Sequence, residues 1–371
     1  MRTARSRARA AEIAAVDLFC GAGGLTHGLL RAGVRVVAGI DLDPHCKFPF
    51  VTNNAANFLE GNVRELSGAD LEKLWGNAST RLLAGCAPCQ PFSTYSRKGR
   101  KVREDEKWDL VADFGRLVRE SKPELVTIEN VPQLADHAVF KDFLRSLDGY
   151  SIWWRSLECS ELRIPQTRKR LVLLASRLGP IQLSALDLAG GHMTVRGAIA
   201  HLPALAAGET NAKDRLHTAS ALSPLNLRRI RASKPGGTWR DWEKSLVAKC
   251  HRKETGETYP SVYGRMEWDA PAPTITTQCF GFGNGRFGHP EQDRAISLRE
   301  AAILQTFPDD YQFVRAEETV SFNRLGRLIG NAVPVRLGEI VGCSLMRHLK
   351  DNSTVPSRRR HRMTQSKSRK A

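Results

Sequence analysis

The sequence predicts an α/β fold: a doubly wound, mostly parallel sheet carrying a second, smaller domain. Three observations predict it. Short β-branched runs alternate with amphipathic stretches from residue 14 to residue 175, the β-α-β rhythm of a parallel sheet. The rhythm fails after residue 176, where Gly, Pro, His, Trp and basic residues follow one another without period. Helical period then returns at 297–307 and 335–349.

Taken in order, 14–19 reads as a buried strand and 23–32 as a helix. Residues 34–41 and 81–86 read as further strands. Residues 109–120 read as a helix, with apolar side chains at 110, 111, 114, 117 and 118. Two more strands are expected at 124–129 and 171–175. The spans predicted are a basic tail of disordered composition (1–11), a first domain (12–176), an inserted domain (177–295), a return to the first domain (296–350) and a second basic tail (351–371).

The net charge is +17. Trimming both tails leaves a body of +7, and a body that stays basic points to a polyanionic partner. No apolar run approaches the roughly 20 residues that span a bilayer. The N-terminus lacks the apolar core of a signal peptide, so a cytoplasmic, nucleoid-associated protein is expected. The eight cysteines show no repeated spacing, which argues against a disulfide framework.

Four segments carry chemistry. The first is Asp17-Leu18-Phe19-Cys20-Gly21-Ala22-Gly23-Gly24-Leu25, a strand that turns through glycines into a helix. Such a turn lets the backbone approach a ligand, and dehydrogenases share it. Asp41 ends the next strand, where an acid can hold ribose hydroxyls. The second is Gly85-Cys86-Ala87-Pro88-Cys89-Gln90-Pro91-Phe92-Ser93. Cys86-x-x-Cys89 has the spacing of a metal or redox pair, but no second such pair exists to complete a four-cysteine zinc site, and no metal is expected. The third is Glu129-Asn130-Val131-Pro132 and the fourth Gln166-Thr167-Arg168-Lys169-Arg170.

In this order the four segments resemble the DNA cytosine-C5 methyltransferase family. Arg299-Glu300-Ala301-Ala302-Ile303-Leu304-Gln305-Thr306-Phe307-Pro308 and Gly330-Asn331-Ala332-Val333-Pro334 resemble its last two blocks. The resemblance covers roughly 16–176 and 262–342, and it implies the S-adenosylmethionine-dependent methyltransferase fold with 177–295 as a target-recognition domain.

The resemblance also implies roles. Cys89 is the nucleophile that adds to C6 of cytosine, since a thiolate attacks well and leaves again. Glu129 binds and protonates N3. Arg168 is assigned to the cytosine O2, and Arg170 to orienting Glu129 or the loop. Phe19, Gly21, Gly23 and Leu25 surround S-adenosylmethionine, with Asp41 on the ribose. Pro88 and Leu110 line the pocket, and Asn331 and Val333 close it. The family commonly has Gly-Asp-Ile where this chain has Gly61-Asn62-Val63, and Asn62 is expected to accept from the adenine amino group instead.

DNA contacts are expected from Gln90, Ser93, Lys98, Arg100 and Lys101 in the loop after the nucleophile, and from Thr274. Arg228, Arg229, Arg231, Arg240, Lys244, Lys249 and Arg252 are candidate contacts in the recognition region. Duplex DNA is the expected partner, with a restriction endonuclease acting on the same site as a further candidate, and the chain is expected to act as a monomer. A transfer-RNA methyltransferase shares the catalytic motifs; the long basic region favours DNA. An amino-group DNA methyltransferase would carry Asp/Asn-Pro-Pro-aromatic where this chain has Pro88-Cys89-Gln90. A non-catalytic relic would not be expected to keep every assigned group.

Overall fold

Strand β1 (Ile13–Leu18) is buried along its whole length, and the sheet grows outward from it. The computed structural model describes residues 12–88, 105–184, 192–253, 256 and 258–353. The expected tails lie outside these apart from residues 351–353. After β1 come α1 (Gly24–Arg31), β2 (Arg35–Asp41), α2 (Lys47–Asn53), β3 (Asn57–Glu60), α3 (Gly68–Trp75) and β4 (Thr80–Gly85). Then follow α4 (Asp105–Ser121), β5 (Leu125–Asn130), α5 (Ala138–Arg145), β6 (Ser151–Glu158), β7 (Gln166–Thr167) and β8 (Lys169–Ser176).

Seven strands form one sheet in the order β3-β2-β1-β4-β5-β8-β6. The first five run parallel, and β8 runs opposite to both β5 and β6. Side chains alternate across the sheet with the strand period of two. Ala14, Val16 and Leu18 enter a core with Leu71 and Trp75 of α3, Phe114 and Leu117 of α4, and Phe140 and Phe143 of α5. Ile13 and Ala15 enter the opposite core, with Leu25 and Leu29 of α1.

That second core is closed by the last helix of the chain. The remaining elements are α6 (Val195–Ile199), α7 (Pro224–Ala232), β9 (Ala272–Pro273), α8 (Leu298–Leu304), α9 (Phe322–Asn331) and α10 (Val335–Ser353). Leu337, Ile340, Val341, Leu345 and Leu349 of α10 pack beside α1. The two helices approach at glycines: a Cβ on Gly28 would strike the main chain of Val335, Gly338 and Glu339. Within residues 322–352 the most apolar stretch of 18 residues has mean hydropathy 1.2, which by length and composition alone would suffice to cross a membrane. Of that stretch 78% is buried inside the protein, as in core helices. Charged residues at 324, 327, 336 and 339 interrupt the run, so it did not stand out in the sequence.

A third core lies beyond the sheet. It joins Val195, Ala198 and Ile199 of α6 to Ile275 and Phe287, to Leu298–Leu304 of α8, and to Leu325 and Ile329 of α9. A small aromatic cluster, with Trp239, Trp242 and Phe282, sits among residues 222–295.

Candidate active site

Strand order reverses between β1 and β4, and ligands of open α/β sheets bind at the carboxyl edge of such a switch point. The β1 turn is held in a conformation most side chains avoid. Phe19, Gly21 and Gly23 have φ of 59°, 54° and 92°. A Cβ on Gly21 would meet nothing within 4 Å, so its backbone faces open space, whereas one on Gly23 would come within 2.7 Å of Asn54 Nδ2. Tyr311, from beyond α8, donates its hydroxyl to the Ala22 carbonyl and pins the turn. Helix α1 starts here with no side-chain cap, leaving first-turn N–H groups to serve a ligand.

Asp41 closes β2 beside this turn. One carboxylate oxygen accepts from Gly21 N–H and the other from Asp43 N–H, both at 2.9 Å. Burial pushes its pKa up, and the two amide donors pull it back. Gly61 N–H bonds to the Asp41 carbonyl, which keeps Asn62 alongside. Asn62 Oδ1 accepts from Arg64 N–H.

At the β4–β5 edge, Glu129 is 5% exposed. Its Oε2 accepts from the Cys86 thiol at 2.8 Å, and Arg170 Nε lies 2.8 Å from Oε1. Asn130 Nδ2 donates to the Ala87 carbonyl at 3.0 Å, tying β5 to the chain that leads into Pro88. The reversed strand explains how Arg170 arrives. Because β8 runs antiparallel to β5, its first residues lie at the carboxyl edge of the parallel strands. Cys89, Gln90, Ser93, Lys98, Arg100 and Lys101 lie outside the described residues.

Arg168 takes a different direction. It is 3% exposed and donates to the carbonyls of Ile275, Gly330 and Ala332. Burial lowers its pKa to about 10, with the Arg170 charge acting in the same sense. Gln166 is bonded to Leu304 O, Gln305 Oε1 and Ile275 N–H. These two side chains lace the sheet edge to the third core. Thr274 Oγ1 donates to Thr167 O at 2.7 Å, beside the β7–β9 pair. Of the two arginines, Arg170 is the one placed against Glu129.

Leu25 and Val333 are buried in the core shared by α1 and α10, and a Cβ on Gly24 would strike the Val333 carbonyl. Leu110 is half-buried against the α3–α5 core. Asn331 and Pro88 are exposed. Of the basic candidates, Arg229 is buried, donates to Leu246 O and Asn226, and lies over Trp242 and Tyr263. That makes it part of the fold rather than a groove contact. Arg231 pairs with Asp293, Arg252 donates to Lys244 O, and Arg240 lies over Trp239. Arg228, Lys244 and Lys249 are exposed.

Sequence reasoning missed Asp17, Asn54 and Tyr311. Asp17 is buried in β1, accepts from Thr26 Oγ1 at 2.7 Å, and has no hydrogen-bond partner on Oδ1 among the described residues. Burial raises its pKa to about 7. An acid inside an apolar strand was the available signal. Asn54 and Tyr311 bond to each other across 257 residues of sequence, and no local pattern announces that.

The sheet order, the single reversed strand and the carboxylate–arginine pair define the fold class of the cytosine-C5 methyltransferases. The C-5 cytosine-specific DNA methylase family model matches residues 13–347, and the chain belongs to that family. It is a DNA cytosine-5 methyltransferase of the bacterial type. It is 50% identical over 342 residues to the Type II methylase M.HgiDII of Herpetosiphon aurantiacus, covering 91% of this chain and 96% of that one. It is 32% identical to the Type II methyltransferase M.Eco47II of Escherichia coli, covering 91% and 79%. In fold it is similar to a prophage-encoded DNA modification methyltransferase of E. coli, with TM-score 0.67, 22% identity and coverage of 91% and 100%. It also resembles the Dnmt2 methyltransferase of S. pombe, with TM-score 0.60, 17% identity and coverage of 91% and 98%.

Proposed function

We propose that this chain methylates C5 of a cytosine within a specific duplex DNA sequence, using S-adenosylmethionine and a covalent bond between Cys89 and C6 of a flipped-out base. The observation that supports this reading is Glu129 held against Arg170 at the sheet edge reached by the chain entering Pro88, one residue before Cys89. The open face of Gly21 and the Asp41 carboxylate beside it suit the cofactor's methionine and ribose ends. Phe19, Gly23, Asn62, Pro88, Leu110, Asn331 and Val333 would complete the enclosure, with Leu25 supporting it from the core. When bound, S-adenosylmethionine supplies a methyl group carried on a sulfonium.

C6 is hidden within a duplex, so the target base must leave the stack. The Cys89 thiolate then adds to C6, and the electron pair of the C5–C6 bond becomes available at C5. Glu129 holds a proton at N3 and so relieves the charge that builds on the ring. Arg170, beside Glu129, orients the carboxyl, and because Arg168 is engaged with backbone carbonyls we assign O2 of the base to Arg170 in place of Arg168. Arg168 fixes the β7–β8 bend from below. Once C5 carries the methyl group, a base such as water takes the C5 proton, the C5–C6 double bond re-forms and Cys89 departs as a thiolate. Thr274 and the basic 93–107 loop serve the phosphates. Residues 177–295 read the sequence, with return of the chain at 296–350. The enzyme acts as a monomer in the cytoplasm on nucleoid DNA. Its Type II relatives suggest a restriction endonuclease with the same site as its partner.

The test is a duplex with 5-fluorocytosine at the target. Fluorine cannot leave as a cation, so the enzyme should be trapped after methyl transfer in an adduct that survives denaturation and requires S-adenosylmethionine. Cys89→Ser should form none, because a hydroxyl is a far weaker nucleophile near neutral pH. A trapped peptide mapping to another cysteine would overturn the reading.

A further inference from the structure

We propose that Cys86, three residues before the nucleophile, is a positioning residue for Glu129. The proposal rests on the reading of Glu129 as the group that serves N3. Three facts support it. Cys86 continues β4 toward the site, its N–H bonded to the Leu18 carbonyl of β1 at 3.3 Å. The next residue, Ala87, is tied to β5 through Asn130 Nδ2. The main chain at 86–87 is therefore fixed from both neighbouring strands, and the Cys86 side chain has little freedom. Its thiol donates to Glu129 Oε2 at 2.8 Å, while Arg170 Nε stands 2.8 Å from Oε1.

Each carboxylate oxygen thus has a neighbour on a different strand, β4 on one side and β8 on the other. A carboxyl group held at one oxygen alone can rotate about its Cγ–Cδ bond, a torsion with a broad, shallow profile. Held at Oε2 by the thiol's hydrogen bond and at Oε1 by the adjacent guanidinium charge, it presents a fixed edge. A thiol suits the position for two reasons. It is a weak donor, so it orients the carboxylate without competing strongly for the proton that Glu129 must share with the base. Its apolar bulk also packs against the α1–α10 core, as Cys86 does.

The test measures the rate of adduct formation on 5-fluorocytosine DNA in a single turnover, together with the affinities for S-adenosylmethionine and DNA. Cys86→Ala should slow adduct formation about tenfold, the order expected for one hydrogen bond, with both affinities unchanged. Cys86→Val fills the space without a donor and should be as slow. Cys86→Ser restores a donor and should restore the rate. On a Glu129→Gln background, Cys86→Ala should add no further loss, because coupled residues are not additive. A wild-type rate in both Cys86→Ala and Cys86→Val overturns the proposal. So does a serine variant as slow as alanine, or an undiminished loss on the Glu129→Gln background. If Glu129→Gln alone keeps the wild-type rate, the assignment of Glu129 fails instead.

Discussion

Asp41 and Asp17 are two acids less than one strand apart with opposite relations to solvent. Asp41 keeps one face toward the switch-point crevice, and its two oxygens accept from backbone amides in the glycine turn and at Asp43. Asp41→Ala should weaken S-adenosylmethionine binding by about 1–3 kcal/mol, the usual cost of stranding buried polar partners; unchanged calorimetric affinity would remove it from the ribose. Asn62→Asp should bind at least as well, since the family's own residue then stands there. Asp17 is sealed under α1, with a folded pKa of about 7 against an ordinary value of 3.8. A raised pKa means the folded state prefers the neutral acid. The stability this gives is complete below about pH 4 and is lost as pH rises toward 7. Asp17→Asn should therefore gain on the wild type as pH rises, by about 2–3 kcal/mol between pH 5 and pH 8 in urea unfolding. A difference that does not change with pH would show the carboxyl to be ionised throughout. The glycine turn, Asp41 and Glu129 were legible in the sequence because each ends a buried strand. The division of labour between Arg168 and Arg170 was not. Their spacing of two suggests one shared face, but the chain bends between β7 and β8, and the carbonyls that capture Arg168 come from residues 275, 330 and 332.

Among the elements, β1, β2, β4, β5 and β8 announce themselves as apolar β-branched runs, and the structure has all five within two residues of expectation. Strands β3 and β6 do not, because both are sheet edges. β3 is four residues long and largely exposed, and β6 alternates irregularly with Arg155 and Ser156 exposed. Helices α2, α3, α5 and α9 span only seven to ten residues, too few turns to stand out in the sequence. What no strand pattern could give is the direction of β8, which depends on its neighbours rather than on its residues. The α1–α10 contact is a matter of close approach. Gly28→Ala should destabilise by about 1–3 kcal/mol, since the added methyl meets main chain that cannot move aside. Gly197→Ala, in α6 with only ordinary contacts nearby, is the control and should not. Thermal melts of the two variants compare them directly; equal behaviour would mean that α10 can shift away from α1.

Across the whole molecule, the catalytic edge is shared by every enzyme of the family, whereas the bases read must differ between enzymes with different targets. The sequence resemblance fades over 177–262, and there the chain has little regular structure beyond α6 and α7. The region is not free of the scaffold: Val195, Ala198 and Ile199 enter the same core as α8 and α9. Residues around Trp239 and Trp242 form an aromatic cluster of their own, with Arg229 and Arg265 tied to internal carbonyls. The buried arginines tie the segment together, and under the proposed function exposed groups such as Arg228, Lys244 and Lys249 would be the ones to face DNA. Exchanging 177–262 for the equivalent region of a relative with a known target, while keeping Val195, Ala198 and Ile199, should yield an active enzyme that methylates the donor's site. Retaining these three preserves the core beneath α8, so loss of activity through misfolding is separated from loss of recognition by a thermal melt. Bisulfite sequencing of DNA from cells expressing the chimera reads the outcome. A folded, active chimera that still methylates the original site would place sequence recognition outside 177–262, in the scaffold or in the loop after Pro88.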